Sequence, residues 1–110
     1  RHLGFEPELR ISGDVDHLPE FIADQLVATV TEGLSNVVRH AEASEARIHI
    51  EHVGGRLSLS ITDNGRGLPN EPKRSGGLSN MMWRAAELGG SCTVGHNEPS
   101  GTVLAWIVPT

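Results

Sequence analysis

From Ala46 to Thr62 the chain reads ARIHIEHVGGRLSLSIT, two runs of alternating apolar and polar residues on either side of Gly54-Gly55. Alternation sends successive side chains to opposite faces of a strand. A Gly-Gly pair supplies the positive φ angles of a tight hairpin turn. The spacing predicts strands over Ala46–Val53 and Arg56–Thr62, with Ile48 and Ile50 on one face and Leu57, Leu59 and Ile61 together. This hairpin sets the fold class, because the rest of the chain must cover its apolar face.

The remaining pattern supplies that cover. Glu8–Asp14 alternates briefly and reads as a first strand. Pro19 suits the first turn of a helix. From Phe21 to Ala43, Ile22, Leu26, Val30, Gly33, Val37 and Ala41 recur at helical steps and make one apolar face. Asp63 to Gly77 is dense in turn formers and reads as a long loop. Gly77–Leu88 is helical, with Leu78, Met82, Ala85 and Gly89 sharing a face and Met81 beside it. Gly89-Gly90 stops this helix. Ser91–Gly95 and Thr102–Val108 read as two further strands around an Asn97–Gly101 turn. Hairpins outnumber crossovers, so the expected architecture is an α/β two-layer sandwich: a mixed, mostly antiparallel sheet with helices on one face.

Composition narrows the classes. The chain has 110 residues, enough for one domain and no second. With its 13 glycines added to the 37% apolar fraction, it is ordinary for a globular protein and unlike a disordered one. No apolar run nears the ~20 residues that span a bilayer, so no membrane segment is expected. Fourteen acidic residues outweigh nine basic ones, which argues against nucleic acid as a partner. The lone Cys92 cannot form an internal disulfide, in keeping with a cytoplasmic setting. The chain opens on Arg1 and not Met. It is therefore expected to be a fragment of a longer protein.

Three constellations carry chemistry. Glu32, Asn36 and His40 lie four apart and form one polar stripe on the long helix. This stripe suits either a solvated flank or an oxygen-rich site for Mg²⁺ beside phosphates. Asp63-Asn64-Gly65-Arg66-Gly67 follows a strand. It reads either as a plain turn or as a loop whose glycines admit a ligand and whose aspartate accepts a hydrogen bond from it. Ser75-Gly76-Gly77-Leu78 enters a helix, where free N–H groups suit an anion. Arg84, two turns further on, points away from the Leu78/Met82 face and reads as a surface residue. The order of the three makes a nucleotide site plausible, although neither the P-loop nor the dinucleotide fingerprint is present.

Those residues also carry a resemblance. Glu32-Gly33-Leu34-Ser35-Asn36-Val37-Val38-Arg39-His40-Ala41 resembles the N box of the catalytic ATP-binding (GHKL-type) domain of sensor histidine kinases. Asp63-Asn64-Gly65-Arg66-Gly67 resembles their first glycine box, and Gly76-Gly77-Leu78-Ser79-Asn80-Met81-Met82-Trp83-Arg84-Ala85 the second. Gly101-Thr102 resembles the terminal Gly-Thr motif. The motifs stand in family order across nearly the whole chain. The basic residue, His and Ala ending the N box resemble the branch that signals to NarL-type response regulators, and the wording is similar to the mycobacterial haem-based dormancy sensors.

The resemblance implies ATP and Mg²⁺ as cofactors and transfer of the γ-phosphoryl to a histidine. It implies Asn36 as a Mg²⁺ ligand with Glu32 in the metal and water shell, both catalytic. Arg39, His40, Gly76, Gly77 and Leu78 are placed near the phosphates. Asp63 is placed on the adenine amino group with Gly65 and Gly67 closing over the base, and Thr102 supports the adenine end. The implied partners are the dimerisation and phosphoacceptor domain of the same kinase, in a homodimeric parent, and a NarL-type regulator. No histidine here resembles the phosphoacceptor: His2, His17, His49, His52 and His96 are scattered, with His49 and His52 on opposite strand faces. Two departures stand out. Ser75 replaces a family glycine, and the lid between Gly67 and Gly76 is short, where Glu71 is expected to pair with Lys73 or Arg74 and restrict ATP entry. An ATPase of the Hsp90, gyrase and MutL type, an anti-sigma serine kinase and a non-enzymatic nucleotide-gated interaction module are the competing readings.

Overall fold

In the computed structural model, which describes residues 6–37, 43–65 and 77–110, the hairpin is in place. Strands β2 (Ala46–Val53) and β3 (Arg56–Asp63) pair antiparallel, with Ile48 opposite Ile61 and Ile50 opposite Leu59. Gly54 and Gly55 turn it at φ 63° and 77°. β1 (Glu8–Gly13) lies parallel to β2, and the crossover between them carries a 3₁₀ turn (Val15–His17) and helix α1 (Glu20–Asn36). After β3 come α2 (Gly77–Glu87), β4 (Ser91–His96) and β5 (Thr102–Pro109). β5 inserts between β3 and β4, so the sheet runs β1-β2-β3-β5-β4 with one parallel pair and three antiparallel pairs. The two-layer α/β sandwich with a mixed, mostly antiparallel sheet is therefore the observed architecture.

The core lies between the sheet and the two helices. β3 and β5 supply its centre: Leu57, Leu59, Ile61, Leu104, Trp106 and Val108 are all buried. Trp106 is fully enclosed, and its indole N–H donates to the Met81 carbonyl at 3.2 Å, which seats α2 on the sheet. From α1 and its C-cap come Leu26, Gly33 and Val37, as the helical period predicts, together with Thr29. Thr29 is fully buried without penalty because its hydroxyl donates to the Gln25 carbonyl at 2.7 Å. Gly33 marks the approach of α1 to β3: a Cβ would meet Ile61 Cδ1, the far end of a flexible side chain that would have to turn aside.

Two expectations change. The α2 core face is Met81 and Ala85, both fully buried, whereas Met82 is 43% exposed. Adjacent methionines leave the helical period ambiguous by one residue, and the Trp106 bond to Met81 resolves it. The long helix does not reach Ala43. That residue belongs to the lead into β2, where the backbone N–H groups of Ser44 and Glu45 both bond Asn64 Oδ1 at 2.9 Å and are lost to a helix.

At the hairpin end of the sheet, His52 ties the chain together. Its Nδ1 donates to the Asp14 carbonyl at 2.6 Å, and its Nε2 meets the Thr110 hydroxyl at 2.9 Å. Thr110 N–H also bonds Gly55 O at 2.9 Å. On the inner face of β4, Cys92 sits opposite Trp106, and burial pushes its thiol up to about 11. At pH 8 it should react with a disulfide reagent about 100-fold more slowly than an ordinary thiol, because the reacting thiolate is that much scarcer. Unfolding releases the proton more easily, so stability should fall as pH rises from 9 towards 11. Reaction at the free-thiol rate in the native protein would contradict this placement.

Candidate functional site

The alternation that buries Leu57, Leu59 and Ile61 continues one step further, to Asp63. Its side chain therefore faces inward at the end of β3, only 5% exposed. One carboxylate oxygen, Oδ1, accepts the Gly65 N–H at 2.9 Å. This bond turns the chain sharply at the strand end, as an Asx-type turn does. Across the sheet, Asp63 stands opposite Ala46 on one side and Thr102 on the other. Asp63 and Thr102 are thus register partners on adjacent strands, both on the helix-covered face.

The backbone around Asp63 is clamped from three sides. Asn64 accepts from Ser44 and Glu45, and its own N–H donates to Glu45 O at 3.2 Å. Asn97 Nδ2 donates to the Asp63 carbonyl at 2.9 Å. Ser100 Oγ donates to the Asn64 carbonyl at 3.1 Å. Gly101 holds φ at 108° directly above, where a Cβ would collide with the Asp63 carbonyl. The sequence marks Asn64, Asn97 and Ser100 only as turn residues, without these partners. The available signal was their type, since Asn and Ser flanking glycines bond to neighbouring backbone.

The polar stripe of α1 arrives at the same end of the sandwich. α1 runs towards the start of β2, which pairs with Asp63, and Gly33 is pressed against Ile61, two residues before Asp63. Glu32 and Asn36, on either side of Gly33, are half-buried. α2 starts at this end too. Its last turn leads into Ser91, which pairs with Ile107 at the far end of β5. Its 11 residues, about 16 Å of helix, carry Gly77 back towards Thr102. Glu32, Asn36, Asp63, Gly65, Thr102 and the Gly77 backbone are therefore gathered at one end. Arg39, His40, Gly67 and Gly76 lie outside the described residues, as do the Leu78 side chain and the Glu71 contact.

Arg84 is not the surface residue expected. It crosses to α1, where Nη1 donates to Gln25 Oε1 at 3.0 Å and Nη2 stands 3.6 Å from Glu32 Oε1. Placing Met81 and Ala85 on the core face turns Arg84 towards α1. Glu32 Oε1 is shielded from water without a hydrogen-bond partner. That oxygen faces the Arg84 guanidinium, so a cation would be met by the second Glu32 carboxylate oxygen. Asn36 lies one turn further along the same stripe. The donor set thus fits a hard, oxygen-seeking metal. A separate hollow of about 350 Å³, lined by Glu8, Arg10, Arg47, His49, Ser60 and Thr62, opens on the other face of the sheet and takes no part in this cluster.

Comparison with known proteins places the arrangement. Residues 22–110 match the family described as histidine kinase-, DNA gyrase B-, and HSP90-like ATPase. The sensor histidine kinase LiaS of Bacillus subtilis is 36% identical over 90 residues, 80% of this chain and 25% of that protein. The nitrate/nitrite sensor protein NarX of Escherichia coli is 34% identical over 95 residues, 84% of this chain and 16% of its own length. The chain thus spans a quarter or less of these relatives. The ATP binding domain of PrrB from Mycobacterium tuberculosis superposes with a TM-score of 0.67 over 78% of this chain and 67% of that one. At 23% identity, that likeness shows the fold alone.

Gly101→Ala should cost at least about 2 kcal/mol in urea unfolding, combining a collision with strand β3 and a strained positive φ. Gly54→Ala, at a smaller positive φ of 63° and in open space, should cost less. Equal losses at the two positions would show that the clamp over Asp63 is not close-packed.

Proposed function

Because this chain belongs to the family of histidine kinase-, DNA gyrase B- and HSP90-like ATPases, we propose that it is the ATP-binding catalytic domain of a sensor histidine kinase. In this reading the end carrying Glu32, Asn36, Asp63 and Thr102 is the nucleotide site. The observation that carries the reading is the inward carboxylate of Asp63, register-paired with Thr102 and facing the end where α1 brings Glu32 and Asn36. The relatives' names support the kinase reading over a gyrase- or HSP90-type ATPase, since those quoted are a sensor histidine kinase and a nitrate/nitrite sensor.

Each side chain has a task the geometry suits. Asp63 has one oxygen committed to Gly65 and a second left to accept from an adenine amino group. Thr102 supports the base from the neighbouring strand, with Gly65 giving room beside it. Asn36 and Glu32 would hold Mg²⁺, which would neutralise phosphate charge. The motif resemblance assigns Arg39, His40, Gly76, Gly77 and Leu78 to the phosphate end and Gly67 to the base. The transfer moves the γ-phosphoryl to a histidine nitrogen. The bond to the β-phosphate's bridging oxygen breaks, a P–N bond forms, ADP leaves, and the imidazole proton passes to a base outside this chain. Catalysis on this side is positioning and charge neutralisation.

The finer reading extends this. The chain is one domain of a larger, homodimeric, cytoplasmic sensor whose dimerisation domain bears the phosphoacceptor histidine. Its regulator is of the NarL type, supported by the resemblance that Arg39-His40-Ala41 carries. The similarity of wording to the mycobacterial haem-based dormancy sensors suggests that branch.

Asp63→Ala should weaken ATP binding about 10- to 100-fold, since a hydrogen bond involving a charged group contributes about 1.5–3 kcal/mol. Asn36→Ala should remove mainly the Mg²⁺-dependent part. Calorimetric titration with a non-hydrolysable ATP analogue, with and without Mg²⁺, separates the two. Wild-type affinity in both variants would sink the site. Mg-ATP with a separate phosphoacceptor domain should give acid-labile phosphohistidine, whereas steady ATP hydrolysis without labelling would favour the ATPase reading.

A further inference from the structure

The contact between Arg84 and α1 joins two of the motif segments in space. α1 presents Gln25, Thr29, Glu32 and Asn36 at steps of three and four, one stripe along the helix. Arg84 lies across the stripe, with one end of its guanidinium on Gln25 and the other near Glu32. Arg84 and Glu32 are only about a quarter exposed. Two atoms of the pair, Arg84 Nε and Glu32 Oε1, are shut away from water with no hydrogen bond. Such atoms are costly unless something completes them. At 3.6 Å the ion pair is slightly too long for a hydrogen bond, while the Gln25 bond at 3.0 Å already fixes the fork. Catalytic contacts are often long before the substrate binds and tighten with it.

We propose that Arg84 is a positioning residue for phosphoryl transfer: anchored on Gln25, its guanidinium sets the direction of the Glu32 carboxylate. The proposal rests on the nucleotide-site reading above. Arg84 acts through Glu32, and the planar fork is needed because one group must hold two partners about two helical turns apart. Arg84 sits seven residues, about 10 Å, into the helix that Gly77 opens. The same bridge therefore fixes the setting of α2 against α1.

The test is a double-mutant cycle in the full-length protein, read as histidine phosphorylation with ATP varied. Arg84→Gln should lower kcat about 10- to 100-fold, the loss typical of a slightly misplaced catalytic group. The KM for ATP should change less than about threefold, because the adenine contacts are elsewhere. Added to Glu32→Gln, the same substitution should lower the residual rate less than about twofold, since the group it positions is already gone. Arg84→Lys, which keeps the charge and gives up the fork, should fall between wild type and Arg84→Gln. It also serves as the second variant should Arg84→Gln fold poorly. Equal losses in both Glu32 backgrounds, or a Lys variant no better than Gln, overturn the proposal while leaving the site reading intact. A wild-type protein that binds no ATP overturns both.

Discussion

The inward alternation of β3 is the constraint on which the rest depends. Leu57, Leu59 and Ile61 are driven from water, and the two-residue period then leaves Asp63 no choice of face. A slip of one residue against β2 or β5 would turn the apolar row outward and the carboxylate with it. Correct burial of the core and correct aim of Asp63 are therefore one event. The same pairing fixes Thr102 beside it, because β5 takes its register from β3. Hydrophobic burial thus sets the position of a charged group that by itself favours solvent.

The two helices meet this strand in different ways. α1 approaches through Gly33, which lies against the Ile61 side chain. α2 is held by a specific bond, the Trp106 indole to the Met81 carbonyl. Between the helices the seam is polar: Gln25, Glu32 and Arg84. Apolar matter holds each helix to the sheet, and charged matter settles how the helices lie against each other. Such a seam contributes little stability for its desolvation cost, but it restricts geometry.

Much of this was legible in the sequence because local pattern and long-range structure agree. The hairpin was readable from period two and Gly54-Gly55, and all five strands fall within a residue or so of where alternation placed them. The motif residues could be read as one site only in order, since nothing local says that Thr102 pairs with Asp63. Two readings failed where patterns were degenerate. Met81 and Met82 offer two equally good helical faces, and the choice belongs to Trp106, 24 residues or more away in sequence. Arg84 followed that error, since its direction depends on the same rotation. Asn64 carried a turn signal that was read, but its partners Ser44 and Glu45 are contacts that only the folded chain creates.

The far end of the sheet has a practical consequence. Thr110 is stitched to Gly55 and His52 beside the hairpin turn, while Asp63 lies at the opposite end of an eight-residue strand. At about 3.3 Å per residue, the two are separated by about 25 Å. A fluorophore, affinity handle or surface tether placed at Thr110 would therefore leave the Asp63 end open. Loosening of that attachment would report on sheet integrity independently of ligand.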